Sequence, residues 1–410
     1  MDKYVLGKKG KGVRFKFSAV IAGAAALSLA VSAAIIAPSF AAPSYPSWAD
    51  IQAAKANEAK KKAMIDNLQV TISALSAEAD KLAKVALIKG EAFNQAQDAV
   101  DAMTRKVKSL QRQANQANAQ ADAAKAELGQ IAAQMYRDGA AGTSLDLFLN
   151  AGQADNLLYQ LGTQDRLAGQ SQSLYERAVQ RQQYAQSITD TLKAAKTQLA
   201  GEAKVAQAAF SEAQSAASAV QAKVDANNQL NKVFYAQLAS LRNTTATLEQ
   251  QRAEGLAAEA RQNAGTSLPV APELYSVGPA DQGKVSTALA YAKQQLGEAY
   301  VLGGMGPNVW DCSGITKASY AAAGIYIGTH SATNQFNTMA AERRLIPLSQ
   351  AVQGDLMWYS QESAFNGDKY HVVIYLGGGM MLEAPNPART VRIVPLRYGE
   401  LFPYAGRPSA

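Results

Sequence analysis

Asp311-Cys312-Ser313-Gly314, read with His371-Val372-Val373-Ile374-Tyr375-Leu376 further on, decides what kind of domain closes this chain. The first stretch opens a helical pattern that runs through Ala322. The second has the β-branched and aromatic content of a strand, as does Gly354-Asp355-Leu356-Met357-Trp358-Tyr359. Gly377-Gly378-Gly379 turns the His371 strand back into Met380-Met381-Leu382-Glu383-Ala384, an antiparallel hairpin. Ser286 to Leu296 reads as a helix and Tyr300-Val301-Leu302-Gly303-Gly304 as a loop. From Val285 onward about 125 residues remain, enough for one compact domain that mixes helices and strands.

The chemistry of that domain has few possible carriers. The chain holds one cysteine, Cys312, and two histidines, His330 and His371. No disulfide forms within one chain, and a zinc site built on Cys/His clusters lacks ligands, so no metal or cofactor is expected. A lone thiol is often a small buried hydrophobe. At a helix start, however, the backbone N–H groups favour the thiolate and lower its pKa, as a nucleophile requires. Such a nucleophile needs a base that takes its proton and returns it to the leaving group. His371, at the head of an apolar strand, is the candidate base. His330 lies in the loop Gly328-Thr329-His330-Ser331, where it either contacts substrate or is exposed. A third group must orient the imidazole. Glu383 sits across the three-glycine hairpin, and a glutamate on an apolar strand is costly unless paired. Its alternative is an exposed edge position.

These same residues carry a resemblance. Tyr300 to Gly304, Asp311 to Gly314, Gly354-Asp355-Leu356, and His371 to Gly377 with Glu383-Ala384-Pro385 resemble the NlpC-type peptidoglycan endopeptidases, over roughly residues 284–407. The resemblance implies a papain-like α+β fold with Cys312 as nucleophile, His371 as base and Glu383 in the third polar position. Many members carry His, Asn or Gln there; Glu383 matches the actinobacterial Rip-type members. Tyr300 carries over as a residue flanking the cysteine near the substrate, and with Asp311, Ser313 and His330 it completes the candidate substrate-binding set. The implied reaction is acyl transfer at the γ-D-glutamyl–meso-diaminopimelate bond of wall stem peptides. Between Trp358 and Tyr370 the loop is longer and more polar than usual, which leaves one groove wall undefined.

Upstream, the chain is of a different kind. No proline occurs between Pro46 and Pro269, a gap of 222 residues, where average usage of about one in twenty predicts several. Proline is kept out where a helix must stay continuous. Phe93, Ala96, Val100, Met103, Val107, Leu110, Ala114, Ala117, Ala121, Ala124, Leu128, Ile131 and Met135 recur at alternating steps of three and four. Ile65, Leu68, Ile72, Leu75, Ala79 and Leu82 keep the same rhythm, that of a coiled coil. The pattern breaks over Arg137 to Thr143, where glycines stop a helix. It continues in short apolar helices at Leu145–Leu149 and Leu157–Leu161 and resumes from about Asp165 to Gln262. An antiparallel hairpin with arms on the order of 130–150 Å follows; a parallel dimer is the alternative. The expected division is therefore a helical coiled coil over 49–262 with its break near 138–164, a Gly/Pro/Ser-rich linker over 263–283, and the peptidase-like domain over 284–410.

The apolar residues at the break either cap the hairpin or dock a membrane partner. Met135-Tyr136-Arg137-Asp138-Gly139, Ser144 to Leu149 and Asp155-Asn156-Leu157-Leu158 resemble the coiled-coil region of bacterial cell-separation hydrolases and their activators. In that group the coiled coil binds the division transporter pair FtsE–FtsX. An arm this long also has the reach to fold back over the Cys312 groove and restrain it.

Residues 1–41 read as a secretory signal peptide, cleaved after Ala41 or Ala42, with an uncleaved anchor as the alternative. The segment 1–16 carries six basic side chains against Asp2, so it holds +5 of the chain's +7 and leaves the remainder at only +2. The basic balance is then an export feature, and nucleic acid is not an expected partner. The expected setting is the cell-wall space of a Gram-positive-type cell, with peptidoglycan stem peptides as substrate and membrane contact only during export or through a partner. Two other classes stay open: a non-catalytic coiled-coil activator or scaffold of other wall hydrolases, and an acyltransferase or amidase on the same fold.

Overall fold

The computed structural model describes residues 46–137, 154–263 and 268–410. The signal-peptide segment 1–41, the break at 138–153 with Leu145–Leu149, and linker residues 264–267 lie outside the described residues. Among those described, no helix is long and apolar enough to cross a membrane.

The proline-free region forms α1 (Trp48–Lys55), α2 (Glu58–Arg137), α3 (Ala154–Arg242) and α4 (Ala246–Asn263). Helix α2 has 80 residues and α3 has 89. At 1.5 Å per residue these are about 120 and 130 Å long. They run antiparallel, as their cross-contacts establish. Asn227 Nδ2 donates to the Leu75 carbonyl, Lys89 pairs with Glu212, Lys196 donates to Gln111, and Ala117 and Ala121 pack on Ala185. Positions rise along one helix as they fall along the other, which replaces the parallel alternative with a hairpin.

The expected heptad seam is buried at Ala114, Ala117, Ala121 and Ala124, as are Ala185, Leu192 and Ala195 of α3. Small side chains let the axes approach but bury little area per layer. The bulky contacts collect at the opposite end of the arm. There Ile51, Leu68, Ile72, Leu75, Phe234, Leu238 and Leu241 form one cluster with α1 and the edge of α4.

Two local expectations are corrected. Leu157–Leu161 belongs to the first turns of the long α3, not to a separate short helix. The helix expected to run unbroken to Gln262 is interrupted at Asn243, which adopts a left-handed conformation (φ 53°). Glu249 of α4 then closes the corner, accepting from Arg242 Nη1 and Thr244 Oγ1 at 2.6 Å each.

The C-terminal part is an α+β domain. Helices α5 (Gln282–Gln294), α6 (Cys312–Ala322) and α7 (Ala332–Ala341) pack with a six-stranded sheet of order β3-β8-β4-β5-β6-β7, every neighbouring pair antiparallel. The central strands are β4 (Leu356–Tyr359), β5 (His371–Gly377) and β6 (Met380–Glu383); β3 (Leu345–Pro347), β8 (Leu401–Gly406) and β7 (Arg392–Pro395) flank them. A short parallel pair, β1 (Ala299–Tyr300) and β2 (Val309–Trp310), precedes α6. Strands β4 and β5 are buried along most of their length, so they read as continuous apolar runs. Helix α6 packs directly on β5, which sets the cysteine helix against the histidine strand.

The segment 268–281 is extended and docked. Tyr275 and Val277 pack on the domain core, the Gly278 carbonyl accepts from Arg407, and Asp281 caps α5 through Gly283 and Lys284.

Candidate active site

Cys312 is the first residue of α6 because Asp311 caps that helix. The Asp311 Oδ1 atom accepts from Gly314 N at 2.7 Å and from Ser313 Oγ at 3.1 Å. Gly314 itself is dictated by packing, since a Cβ there would lie 2.0 Å from the Gly304 carbonyl oxygen. The other Asp311 oxygen accepts from Gly303 N at 3.1 Å. His330 Nε2 lies 2.8 Å from Asp311 Oδ1, so this histidine is neither exposed nor free in its loop. Ser313 is fully buried and Tyr300 is buried, its hydroxyl in the electrostatic reach of Cys312.

Strand β5 begins with His371, which pairs with Tyr359 of β4 and is 0% exposed. Its Nε2 lies 2.9 Å from Glu383 Oε2, and its buried Nδ1 has no hydrogen-bond partner. Backbone N–H groups of Val372 and Ser313 face the Cys312 sulfur, so the sulfur sits beside the residue that follows the imidazole. Glu383 is also 0% exposed. Its Oε1 accepts from Arg392 Nε and Nη2 at 3.0 and 2.8 Å and from Arg397 Nη1 at 2.9 Å. Arg397 Nη2 donates to Oε2 at 2.8 Å. Burial would raise the Glu383 carboxyl, but the Arg397 charge and the hydrogen bonds hold it well below the usual range. Burial lowers His371, against the pull of Glu383. The imidazole is therefore held neutral, with its Nε2–H donated to Glu383.

The thiol departs from expectation. A helix start was expected to lower its pKa, yet Cys312 is raised well above an ordinary thiol. Burial is the first cause, followed by the charges of Asp311 and Glu91; the two backbone N–H groups oppose them without winning. Only 5% of Cys312 is exposed, and the arm passes over its two neighbours, Asn94 reaching both Asp311 and Ser313.

The cover is one stripe of α2. Leu87 joins the domain core, Asn94 Nδ2 donates to Asp311 Oδ2 at 3.2 Å, and Gln95 Nε2 donates to Asp368 Oδ1 at 3.2 Å. Thr329 Oγ1 donates to Asp98. Glu91, 4% exposed, accepts from Ser331 Oγ at 2.6 Å and from Ala332 N and Thr333 N at 2.9 and 3.0 Å. Gly90 permits this closeness, since a Cβ there would already stand 3.1 Å from Leu302 Cδ1. Lys84–Glu400 at 2.6 Å adds a contact outside the groove.

The polar loop before Tyr370 forms the neighbouring wall. It is pinned by Lys369, whose ammonium lies 4.5 and 4.0 Å from the ring centres of Phe336 and Phe402 and is pulled down to about 8 by burial. Buried Gln335 ties the two helices of the site together, donating to the Ser313 carbonyl and accepting from Thr316 Oγ1, each at 2.8 Å.

Glu91, Asn94, Gln95 and Asp98, with Arg392 and Arg397, were not singled out by sequence reasoning. The signal for the first group was present: Leu87, Glu91, Asn94 and Asp98 recur at four, three and four, a second stripe beside the coiled-coil seam, next to a mid-helix glycine. Among the described residues, no group of three or more His, Cys, Asp or Glu is placed to hold a metal ion.

A helix-borne cysteine against a strand-borne histidine, the latter fixed by a third polar side chain, is the arrangement that a thiol nucleophile and its base require. More particularly, residues 297–401 match the NlpC/P60 family model, and the chain ends in an NlpC/P60 domain preceded by a long helical arm. Over 104 residues the chain is 40% identical to the peptidoglycan endopeptidase RipA of Mycobacterium tuberculosis, covering 25% of this chain and 20% of that one. Over 115 residues it is 32% identical to a γ-D-glutamyl-L-lysine dipeptidyl-peptidase of Bacillus cereus, covering 28% and 33%. Among solved structures, the peptidoglycan hydrolase RipB of M. tuberculosis aligns at 29% identity over 32% of this chain and 66% of that chain, with a TM-score of 0.28. The chain thus spans about a fifth to a third of the length of these two curated relatives.

Proposed function

We propose that this chain is a secreted peptidoglycan D,L-endopeptidase, a cysteine peptidase that cleaves the γ-D-glutamyl–meso-diaminopimelate bond of wall stem peptides. The observation that carries the reading is the placement of the Cys312 sulfur against Val372 N–H, beside an imidazole oriented by Glu383. Similarity to chains named peptidoglycan endopeptidase and γ-D-glutamyl-L-lysine dipeptidyl-peptidase supports the substrate class.

In this mechanism His371 Nδ1 takes the Cys312 proton and the thiolate attacks the γ-carbonyl carbon. The Cys312 backbone N–H, in the first turn of α6 where intrahelical acceptors are lacking, donates to the developing oxyanion. His371 then protonates the departing diaminopimelyl amine as the C–N bond breaks. Water, deprotonated by the same imidazole, hydrolyses the thioester and restores the thiol. Tyr300, Asp311, Ser313 and His330 shape the substrate side of the groove; Asp311 does so by fixing α6 and His330 together.

The domain boundaries of this reading are those of export signal, coiled coil, linker and peptidase at 1–41, 49–262, 263–283 and 284–410. The coiled coil restrains the enzyme, because α2 lies across the groove and leaves Cys312 covered. Its displacement in the cell-wall space, through a membrane partner of the FtsE–FtsX kind, would couple cleavage to cell separation.

Digestion of purified stem peptides by the full chain, beside Cys312→Ala, with products weighed by mass spectrometry, tests the activity. The reading expects fragments from cleavage at the D-glutamyl–diaminopimelyl bond, absent with alanine. No such fragments even from a chain whose arm is kept from seating by Gly90→Phe would overturn it.

A further inference from the structure

Glu383 is held by more positive charge than its burial requires. One cation balances a buried carboxylate, yet two guanidiniums close on this one. Arg392 stands directly across from Glu383 in the β6–β7 ladder and grips Oε1 through Nε and Nη2. Arg397, just beyond the end of β7, spans both oxygens, with Nη1 on Oε1 and Nη2 on Oε2. Its guanidinium lies 5.0 Å from the ring centre of Tyr359, and the Tyr359 hydroxyl donates to the Arg397 carbonyl at 3.0 Å. The same tyrosine ring packs 5.7 Å from the imidazole of His371.

This grip has a mechanical and an electrical consequence. A glutamate side chain turns freely about its own bonds unless both oxygens are held; here the forks fix them and aim Oε2 at His371 Nε2. The charged and titratable groups about the imidazole are Glu383 from β6, Arg392 from β7, Arg397 beyond it, Tyr359 from β4 and Cys312 from α6. Burial raises Tyr359 and Cys312 alike, so both are neutral in acid, while Asp311 and Glu91 bear on the thiol. One carboxylate against two guanidiniums then leaves a surplus of positive charge beside a fully buried imidazole. Burial first, and then both arginines acting against Glu383, hold His371 below the ordinary imidazole range.

We infer that Arg392 and Arg397 are positioning residues of the reaction: they lock Glu383 onto His371 and overbalance its charge, so that the imidazole stays free to accept the thiol proton in acid surroundings. This deepens, and rests on, the peptidase reading above. Both arginines act through Glu383 and the field at the imidazole, not by touching the scissile bond. The two effects separate by substitution. Lysine keeps the positive charge and gives up the planar fork, so it loosens the carboxylate and leaves the electrical balance in place. Methionine removes both, and Glu383 then pulls on the imidazole proton with one opponent fewer.

The chain has only two histidines, so nitrogen-15 labelling of histidine in the full chain lets NMR follow His371 directly, with His330→Asn identifying the other signal. Arg392→Met and Arg397→Met are each expected to raise the His371 titration midpoint by at least about half a unit. Arg397→Lys should leave that midpoint in place. The kinetic arm uses Gly90→Phe chains, built to keep α2 from seating. There the acid limb of kcat/KM for stem-peptide cleavage should move up with each methionine variant. With Arg397→Lys the limb should stay, while kcat falls at least about threefold. A folded methionine variant with an unmoved midpoint overturns the inference, as does a lysine variant that shifts it like methionine or keeps the parent kcat. Unfolding of both methionine variants at neutral pH would make the pair structural and overturns it too. Failure of the peptidase reading looks different: the midpoint still rises, but no chain releases fragments.

Discussion

His371 Nε2 donates to Glu383 Oε2 across 2.9 Å, and the same carboxylate is clasped by Arg392 and Arg397. The position that orients the imidazole is thus a buried anion neutralised by two cations. A glutamate at this point is tolerated only because those arginines come with it.

Replacing Glu383 by Gln separates the two functions of that anion. A glutamine oxygen still accepts from Nε2–H, so the tautomer is kept, but the charge that steadies a forming imidazolium is lost. The turnover rate is expected to fall about 10–100-fold, within the range that positioned acid–base catalysis supplies. The arginines, partly buried, lose their counter-ion at a cost of about 2–4 kcal/mol. Steady-state kinetics and chemical denaturation of the same variant read the two effects; unchanged turnover would remove Glu383 from the mechanism.

The same cluster sets an acid limit. Glu383 has a folded pKa held well below its unfolded one, so its stabilisation is complete above the ordinary glutamate range near about 4.3 and is lost as pH falls through the lower folded value. The gap in melting temperature between the parent chain and Glu383→Gln should be full near pH 6 and shrink progressively below about pH 4. A gap that stays constant into strong acid would contradict this assignment.

Much of this arrangement is legible in sequence, and the reasons differ from part to part. The Cys312 helix, the His371 strand and the Glu383 hairpin could be read because each rests on local signals: a capping aspartate, an apolar run, three glycines in a row. The arm could be read because exclusion of proline and a heptad rhythm accumulate over long distances. Glu91 and Asn94 could not, because a polar residue on a coiled coil is ordinarily a solvated one, and only the fold decides that this face meets the domain. Arg392 and Arg397 escaped for a similar reason: β7 is an edge strand whose pairing with β6 carries no local signature. The expected low thiol pKa failed because a helix start was weighed without the burial of the sulfur and the charges of Asp311 and Glu91 beside it.

That burial has a measurable consequence. With Cys312 raised well above the usual thiol by burial and by the charges of Asp311 and Glu91, the covered chain should react slowly with iodoacetamide, at a rate still climbing past about pH 9. Unseating the arm returns water to the sulfur and removes the Glu91 charge. The midpoint of the pH profile should then drop by at least about one unit. An identical profile in covered and unseated chains would show that α2 does not govern the thiol.

Gly90 offers the sharpest way to ask whether the arm restrains the enzyme. A Cβ at Gly90 already stands 3.1 Å from Leu302 Cδ1, so the far larger ring of Gly90→Phe is expected to block seating of α2 without replacing any residue of the groove. The decisive measurement is the rate of stem-peptide cleavage by the full chain, by Gly90→Phe, and by Gly90→Phe with Cys312→Ala. We expect at least a tenfold rise with Gly90→Phe and complete loss when Cys312 is also removed. Equal rates for the full chain and Gly90→Phe, or cleavage that survives without the thiol, would contradict the account of a cysteine peptidase held closed by its own helix.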